Sequence, residues 1–410
     1  MALLSLAVGA LVALVGSVTV ELSPGPQPQE PIRVISSSYD IDFPNQLVIS
    51  LEAEADGQIT EVTLFYRLGR QRVRVYGYPS FTPSNRVTAS FRVKTSGASY
   101  IPSGVDIEYY YVLRDANGNT VESEPFSLEY KDPGYQWRTL QQGDLKVLWH
   151  NRPLDSVAEV LTEVGPRLDE IKAMLGLETT TTMKAVILNS GSEAGRSFPL
   201  VSEAARRGHI YGGFAFGELD VFVLVGLDRN GIVHEMTHLY IDESLSSPLA
   251  KIPAWLNEGL AMYFEFSSRG REATLADAVR GGSLLPLRSM GSIPGRAQDV
   301  RLFYAQSRSL VKHMIDVHGR EPMSALFSSI NEGKRIEEAV AEVYEISLDQ
   351  MERQWKTELT RGTALAPAMN PGTVGTSLII AGAVSIAAVV VFVRWLRHLT
   401  RPPGPSDTEL

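Results

Sequence analysis

The chain has 410 residues, a formal net charge of −9 and no cysteine. Without cysteine there are no disulfides and no thiolate-held zinc, and without a basic run there is no electrostatic footprint for nucleic acid. The length allows two to three domains, and the balance of apolar and charged residues is that of a globular protein.

Residues 1–20 come first. Ala2 to Val20 is apolar and uncharged, the pattern of a signal peptide or an N-terminal anchor, although no Lys or Arg leads it. Residues 21–31 form a proline-rich spacer. Over residues 32–131 the character changes. Leu47–Leu51, Glu61–Tyr66, Val87–Val93, Ile107–Val112 and Glu124–Tyr130 alternate apolar and polar residues and are rich in β-branched and aromatic side chains. Asp115–Asn119 supplies a hairpin turn. Short strands at this spacing predict a β-sandwich, similar to immunoglobulin or fibronectin type III modules. It would serve as a spacer or as a binding module.

A new unit is expected over residues 135–361. Leu145–Trp149 reads as a strand. Asp155–Leu175 has helical spacing, with Val157, Val160, Leu161, Val164, Leu168, Ile171 and Leu175 on one face and Gly176 as its stop. Met183–Leu188 and Leu219–Val225 read as further strands. Next comes Gly231–Tyr240, which holds His234, Glu235 and His238 in the order H-E-x-x-H. On a helix, positions i and i+4 share a face, so the two imidazoles can present nitrogen to one point. Zinc accepts such nitrogens and takes three protein ligands at a catalytic site. Glu235 follows the first histidine directly and points beside the metal, where a base takes a proton from an activated water. The pattern predicts metal-assisted hydrolysis. The competing reading is an ordinary core helix with two hydrogen-bonded histidines.

Pro253–Phe264 opens on a proline and carries an apolar face of Trp255, Leu256, Leu260, Ala261 and Phe264. Its acidic residue is Glu258, twenty positions after His238. H-E-x-x-H followed by W-L-N-E-G-L-A resembles the gluzincin metallopeptidases, the clan of thermolysin and the alanyl-type aminopeptidases, and in particular the peptidase MA-like domains. The resemblance covers roughly residues 140 to 361. It implies a thermolysin-like fold, one Zn2+ per chain held by His234, His238 and Glu258, Glu235 as general base and a peptide or protein substrate. It also implies a glycine-bearing edge strand that pairs with substrate backbone. Gly212, Gly213 and Phe214 stand where that strand would be, with a plain hairpin as the alternative. No clear equivalent of the aminopeptidases' amine-gripping glutamate is present; Glu218 is the nearest acid. Asn257 precedes Glu258 as in the resembled motif and is expected beside the metal ligands. Asp242, one turn past His238, either holds the far nitrogen of a ligand histidine or is solvated. Tyr304 resembles the aminopeptidase tyrosine that donates to the oxyanion, or is packed at a helix start.

Ser324–Thr360 reads as helical, with Ser347–Gln350 as a capped start. Residues 362–373 are a linker. Residues 374–393 are uncharged, apolar and long enough to span a membrane, and residues 394–410 carry Arg394, Arg397 and Arg401, which the positive-inside rule assigns to the cytoplasm. The expected fold class is therefore α+β: a β-sandwich, a gluzincin catalytic domain and a C-terminal transmembrane helix. The expected function is that of a membrane-anchored, extracytoplasmic zinc metallopeptidase with no nucleic-acid partner. The alternative is an inactive zinc- or peptide-binding module on a membrane scaffold.

Overall fold

The computed structural model describes residues 31–199, 212–268 and 270–365. Seven strands build the first sheet: β1 (Ile32–Asp42), β2 (Gln46–Leu68), β3 (Val75–Gly77), β4 (Ser84–Lys94), β5 (Val105–Asp115), β6 (Thr120–Glu122) and β7 (Phe126–Tyr130). The sheet is threaded on β2. Its first half pairs with β1 and β4, its second half with β3 and β5, and the register shifts between Glu54 and Ile59. A bulge of this kind bends a strand without breaking it. The bent strand buries one face of both halves, Leu47, Ile49 and Leu51 in the first and Val62 and Leu64 in the second, each at the period of two that a strand imposes.

The second sheet has the order β11 (Gly213–Phe216), β12 (Val221–Val225), β10 (Met183–Leu188), β9 (Leu145–Trp149), β8 (Arg138–Gln142). The three central strands are parallel and the two edges antiparallel. A parallel pair needs a crossover, and α1 (Leu154–Leu175) provides it between β9 and β10. Gly176, at φ 71°, ends that helix in the left-handed conformation. Every residue of β10 is buried, as expected where both faces of a parallel strand are covered.

The two faces of this sheet serve different cores. Val147, Trp149, Ala185, Ile187, Phe222 and Leu224 pack against the helices. Leu148, Val186, Leu188, Val221 and Val223 pack against the first sheet and share its core. Contact there is close: Gly104 has φ 93°, and a Cβ on it would lie 2.5 Å from Val186 Cγ2. Lys184 pins the seam. Its ammonium, almost wholly buried, reaches Asp106 Oδ1 at 2.6 Å, Glu129 Oε1 at 2.8 Å and the Gly104 carbonyl at 3.1 Å. Arg70 of the first sheet likewise holds Asp220 at 2.7 Å and also pairs with Glu243.

The helical layer follows: α2 (Gly191–Ser197), α3 (Arg229–Ser244), α4 (Ala254–Phe264), α5 (Arg271–Gly281), α6 (Ala297–His318), α7 (Glu321–Asn331), α8 (Ile336–Tyr344) and α9 (Leu348–Leu365). The expected fold class needs correction. The described residues form a mixed α/β architecture in which sheets lead and helices follow. In place of a free-standing two-sheet sandwich there is one continuous seven-stranded sheet, because β2 runs unbroken through both layers. No described helix is long and apolar enough to cross a membrane. The expected span at 374–393 and the N-terminal segment 1–20 lie outside the described residues.

Candidate active site

Helix α3 begins where Asp228 accepts hydrogen bonds from the amides of Asn230 and Gly231, satisfying two of the donors that a helix start leaves free. Ile232, Val233, Met236, Leu239, Tyr240 and Ile241 bury the helix on most of its circumference. His234 and His238 occupy the remaining stripe, one turn apart, with rings 4.8 Å apart and edge to face. Helix α4 packs against α3 and brings Glu258 over both histidines. Glu258 Oε2 is 3.5 Å from His234 Nε2 and 3.8 Å from His238 Nε2. One ligand atom from each of the three side chains falls within 4.8 Å of the others. Ligands at zinc bond lengths in a tetrahedron stand about 3.4 Å apart, so both the donor set and its spacing fit Zn2+.

The outer nitrogens of the imidazoles are also occupied. Asn257 Oδ1 lies 2.9 Å from His238 Nδ1, and Glu265 Oε1 lies 3.0 Å from His234 Nδ1. Both oxygens accept, so both Nδ1 atoms carry a proton, and the Nε2 atoms, turned towards Glu258, are the nitrogens that could hold a metal. Partners of this kind fix the tautomer and orientation of a ligand histidine. Arg271 holds Glu265 through a two-pronged pair with contacts of 2.9 and 3.0 Å. Glu265 and Arg271 have no signature in the motif. The available signal is an acid within the apolar run Tyr263 to Phe266, which has to find a partner when buried. Asp242, by contrast, is not bonded to a ligand histidine. It lies against Gly217, where burial and the charge of Glu218 raise its carboxyl above the usual range.

The charges around the triad are strongly coupled. Burial works against the protonated form of His234, but hydrogen bonds to Glu258 and Glu265 outweigh it and lift that proton's pKa to about 10. Burial also opposes the charged form of Glu258, yet His238 and His234 more than offset it and keep the carboxyl below the usual range. Glu235 lies beside the triad and is buried, and burial raises its carboxyl. A general base works best when its pKa is brought towards the working pH.

The cleft over these residues has a volume of ≈ 700 Å³. Gly212, Gly213 and Phe214 line one side, where β11 is the outermost strand of its sheet. Gly213 touches Glu235: a Cβ there would stand 2.7 Å from Glu235 Oε1 and 3.0 Å from the Val223 carbonyl oxygen. Helices α5 and α6 line another side with Arg271, Thr274, Arg301 and Tyr304. Tyr304 is half-buried and meets Phe303 edge to face at 5.5 Å. The structure thus brings His234, Glu235, His238, Asn257, Glu258, Asp242, Tyr304, Gly212, Gly213 and Phe214 to one cleft.

Residues 210–361 match the Peptidase MA superfamily. The peptidase MA segment contains α3, α4 and every residue of the metal-site triad, and the resemblance drawn from the motifs holds over it. No curated protein sequence matches the chain. Among solved structures, an M1 zinc metallopeptidase from Deinococcus radiodurans is 13% identical, with 84% of this chain and 97% of that one covered at a TM-score of 0.37. An aminopeptidase N family protein from Idiomarina loihiensis is 9% identical, covering 78% of this chain and 76% of that one at a TM-score of 0.39. A β-1,3-glucan binding domain of carbohydrate-binding module family 56 is 17% identical over 23% of this chain and 96% of its own, at a TM-score of 0.16. Overlap at that level carries no argument about function. What the peptidase MA match supports is a peptidase-like hydrolase.

Proposed function

We propose that the chain is a zinc-dependent metallopeptidase that hydrolyses peptide bonds, with one Zn2+ held by His234, His238 and Glu258. One observation carries this reading: a buried carboxylate, Glu235, stands beside three converging metal donors in a cleft lined by β11, the outermost strand of its sheet among the described residues. A structural zinc site is closed by four protein ligands; among the described residues three converge here, and the space beside them is open cleft.

When bound, Zn2+ would polarise the scissile carbonyl and acidify a water. The protein's own groups do the rest. An extended peptide pairs with the outer edge of β11, where Gly212 and Gly213 leave its backbone room. Glu235 takes a proton from the attacking water and passes it to the leaving amine. The Tyr304 phenol donates to the carbonyl oxygen as negative charge develops there. Asn257 and Glu265 keep the two imidazoles facing the metal.

The test is the Glu235→Gln variant of the full chain, with zinc content and cleavage of a mixed peptide library measured side by side. One zinc per chain in both proteins, with cleavage in the wild type alone, is the expected result. Zinc loss in the variant, or undiminished cleavage by it, overturns the assignment.

A further inference from the structure

The basic side chains that line the cleft differ in one respect. His234 and His238 are bonded to Glu265 and Asn257, and Arg271 is held by both oxygens of Glu265. Arg301 also lines the cleft, is exposed to it, and has no hydrogen bond or ion pair with any described residue. It lies on α6 three residues before Tyr304, so the two side chains leave the same face of the helix.

The pairing of the cleft's charges makes this guanidinium stand out. With a divalent cation on the triad, Glu235 and Glu258 neutralise it, and Glu265 neutralises Arg271. Of the other cleft carboxylates, Asp228 caps the start of α3 and Asp242 sits against Gly217 at the end of β11. Among the described residues Arg301 is the cleft guanidinium with no carboxylate paired to it, one turn of α6 from Tyr304. A guanidinium presents a planar fork of donors that matches a carboxylate, and it stays charged at every pH at which a protein is folded.

We propose that Arg301 selects the substrate, by taking a carboxylate on the peptide being cut. That carboxylate is either the peptide's own C-terminus or an Asp or Glu side chain close to the scissile bond. The proposal rests on the peptidase reading and adds a substrate class to it: short peptides ending near the cleft, or peptides acidic beside the cut. A charge-assisted, two-pronged pair of this kind favours the charged substrate by roughly ten- to a hundredfold.

The experiment uses the full chain and four matched tetrapeptide libraries: free C-terminus, amidated C-terminus, one internal Glu, and the same position as Gln. In the wild type, kcat/KM is expected to be at least about tenfold higher for one charged library than for its neutral match, chiefly through KM. Which pair shows the preference separates the two sources of carboxylate. In Arg301→Ala the ratio falls to near one, and Arg301→Lys restores part of it. Equal rates for charged and neutral libraries in the wild type overturn the proposal, as does a preference that survives Arg301→Ala. Binding of the same libraries to Glu235→Gln, with and without Arg301→Ala, gives a readout that needs no turnover. If nothing is cleaved but the charged libraries bind tighter in an Arg301-dependent way, peptide hydrolysis falls and the anion site stands. If cleavage is seen without charge preference, hydrolysis stands and the anion site falls.

Discussion

Adding one methyl group at Gly213 tests how closely the substrate strand and the general base depend on each other. The Cβ of Gly213→Ala would meet Glu235 Oε1 at 2.7 Å, its Cδ at 3.0 Å and the Val223 carbonyl oxygen at 3.0 Å. The last contact is backbone held in the β11–β12 ladder and yields little. Relief therefore falls on the Glu235 carboxylate, which has to retreat by about 0.7 Å to reach ordinary contact distance. Misplacing a reacting group by about 1 Å costs roughly a hundredfold in rate, so kcat is expected to fall by about ten- to a hundredfold. Overpacking costs about 1–3 kcal/mol, which lowers Tm by roughly 2–10 °C for a unit of this size. Glu235 is not among the converging metal donors, so zinc content stays at that of the wild type. Peptide hydrolysis, metal analysis and a melting curve on one preparation check all three. Wild-type kcat in a folded, zinc-loaded variant would refute the placement of Glu235 against β11, and loss of zinc would show that the strand supports the metal rather than the base.

Three further outcomes are expected. Glu265→Gln, which weakens the hydrogen bond at His234 Nδ1, lowers zinc affinity by about 10- to 100-fold in competition with a chelator; an unchanged affinity would remove Glu265 from the metal site. Lys184→Ala leaves Glu129 to Lys131 and Lys146 and the exposed Asp106 to solvent, and removes a buried donor from the Gly104 carbonyl, so it destabilises the fold by about 1–3 kcal/mol in urea titration; an unchanged midpoint would mean that Lys184 does not hold the seam. Asp220 has its carboxyl raised from 3.8 to about 6, because burial and then the neighbouring Glu243 outweigh the attraction of Arg70. The native state then binds the extra proton, so this group's contribution to stability is full below about 4 and is lost as pH rises through 6. Asp220→Asn keeps the left-handed backbone at φ 52° and removes that loss, so it melts higher than the wild type at pH 7 and not at pH 4; an equal difference at both pH values would reject the titration.

What the sequence discloses depends on how local the physics is. H-E-x-x-H is legible because two side chains four apart on a helix need no other element to bring them together, and the structure places both imidazoles on the stripe of α3 that faces Glu258. The strands Leu145–Trp149 and Met183–Leu188 are legible for a similar reason, as short apolar runs bounded by turns. Asn257 could be read because it adjoins Glu258. Glu265 and Arg271 could not: their contact with His234 depends on how the chain turns after α4, and no spacing rule encodes that turn. Asp242 shows the opposite failure, since one turn past His238 is the right spacing, but Asn257 already occupies the nitrogen it would have taken. Strand β2 reads as two strands, Leu47–Leu51 and Glu61–Tyr66, because the alternation lapses between them, yet the chain bends there and keeps its pairing. Likewise, Leu145–Trp149 reads as a strand, but nothing in it says that Val147 and Leu148 belong to different cores.

The split sheet bears on how the molecule unfolds. Strands β10 and β12 lie inside the helical core on one face and the first sheet's core on the other. Neither half can let go without baring a strip of the other, Leu148, Val186, Leu188, Val221 and Val223 on one side of the cut. The amides of these two strands should therefore be the last in the chain to exchange with deuterium, opening only when the whole molecule does. Heat or urea should give one transition rather than two. Residues 210–361, expressed alone, would lack β9 and β10 and leave β12 unpaired on one edge, so the segment that carries the peptidase signature is shorter than the segment that folds.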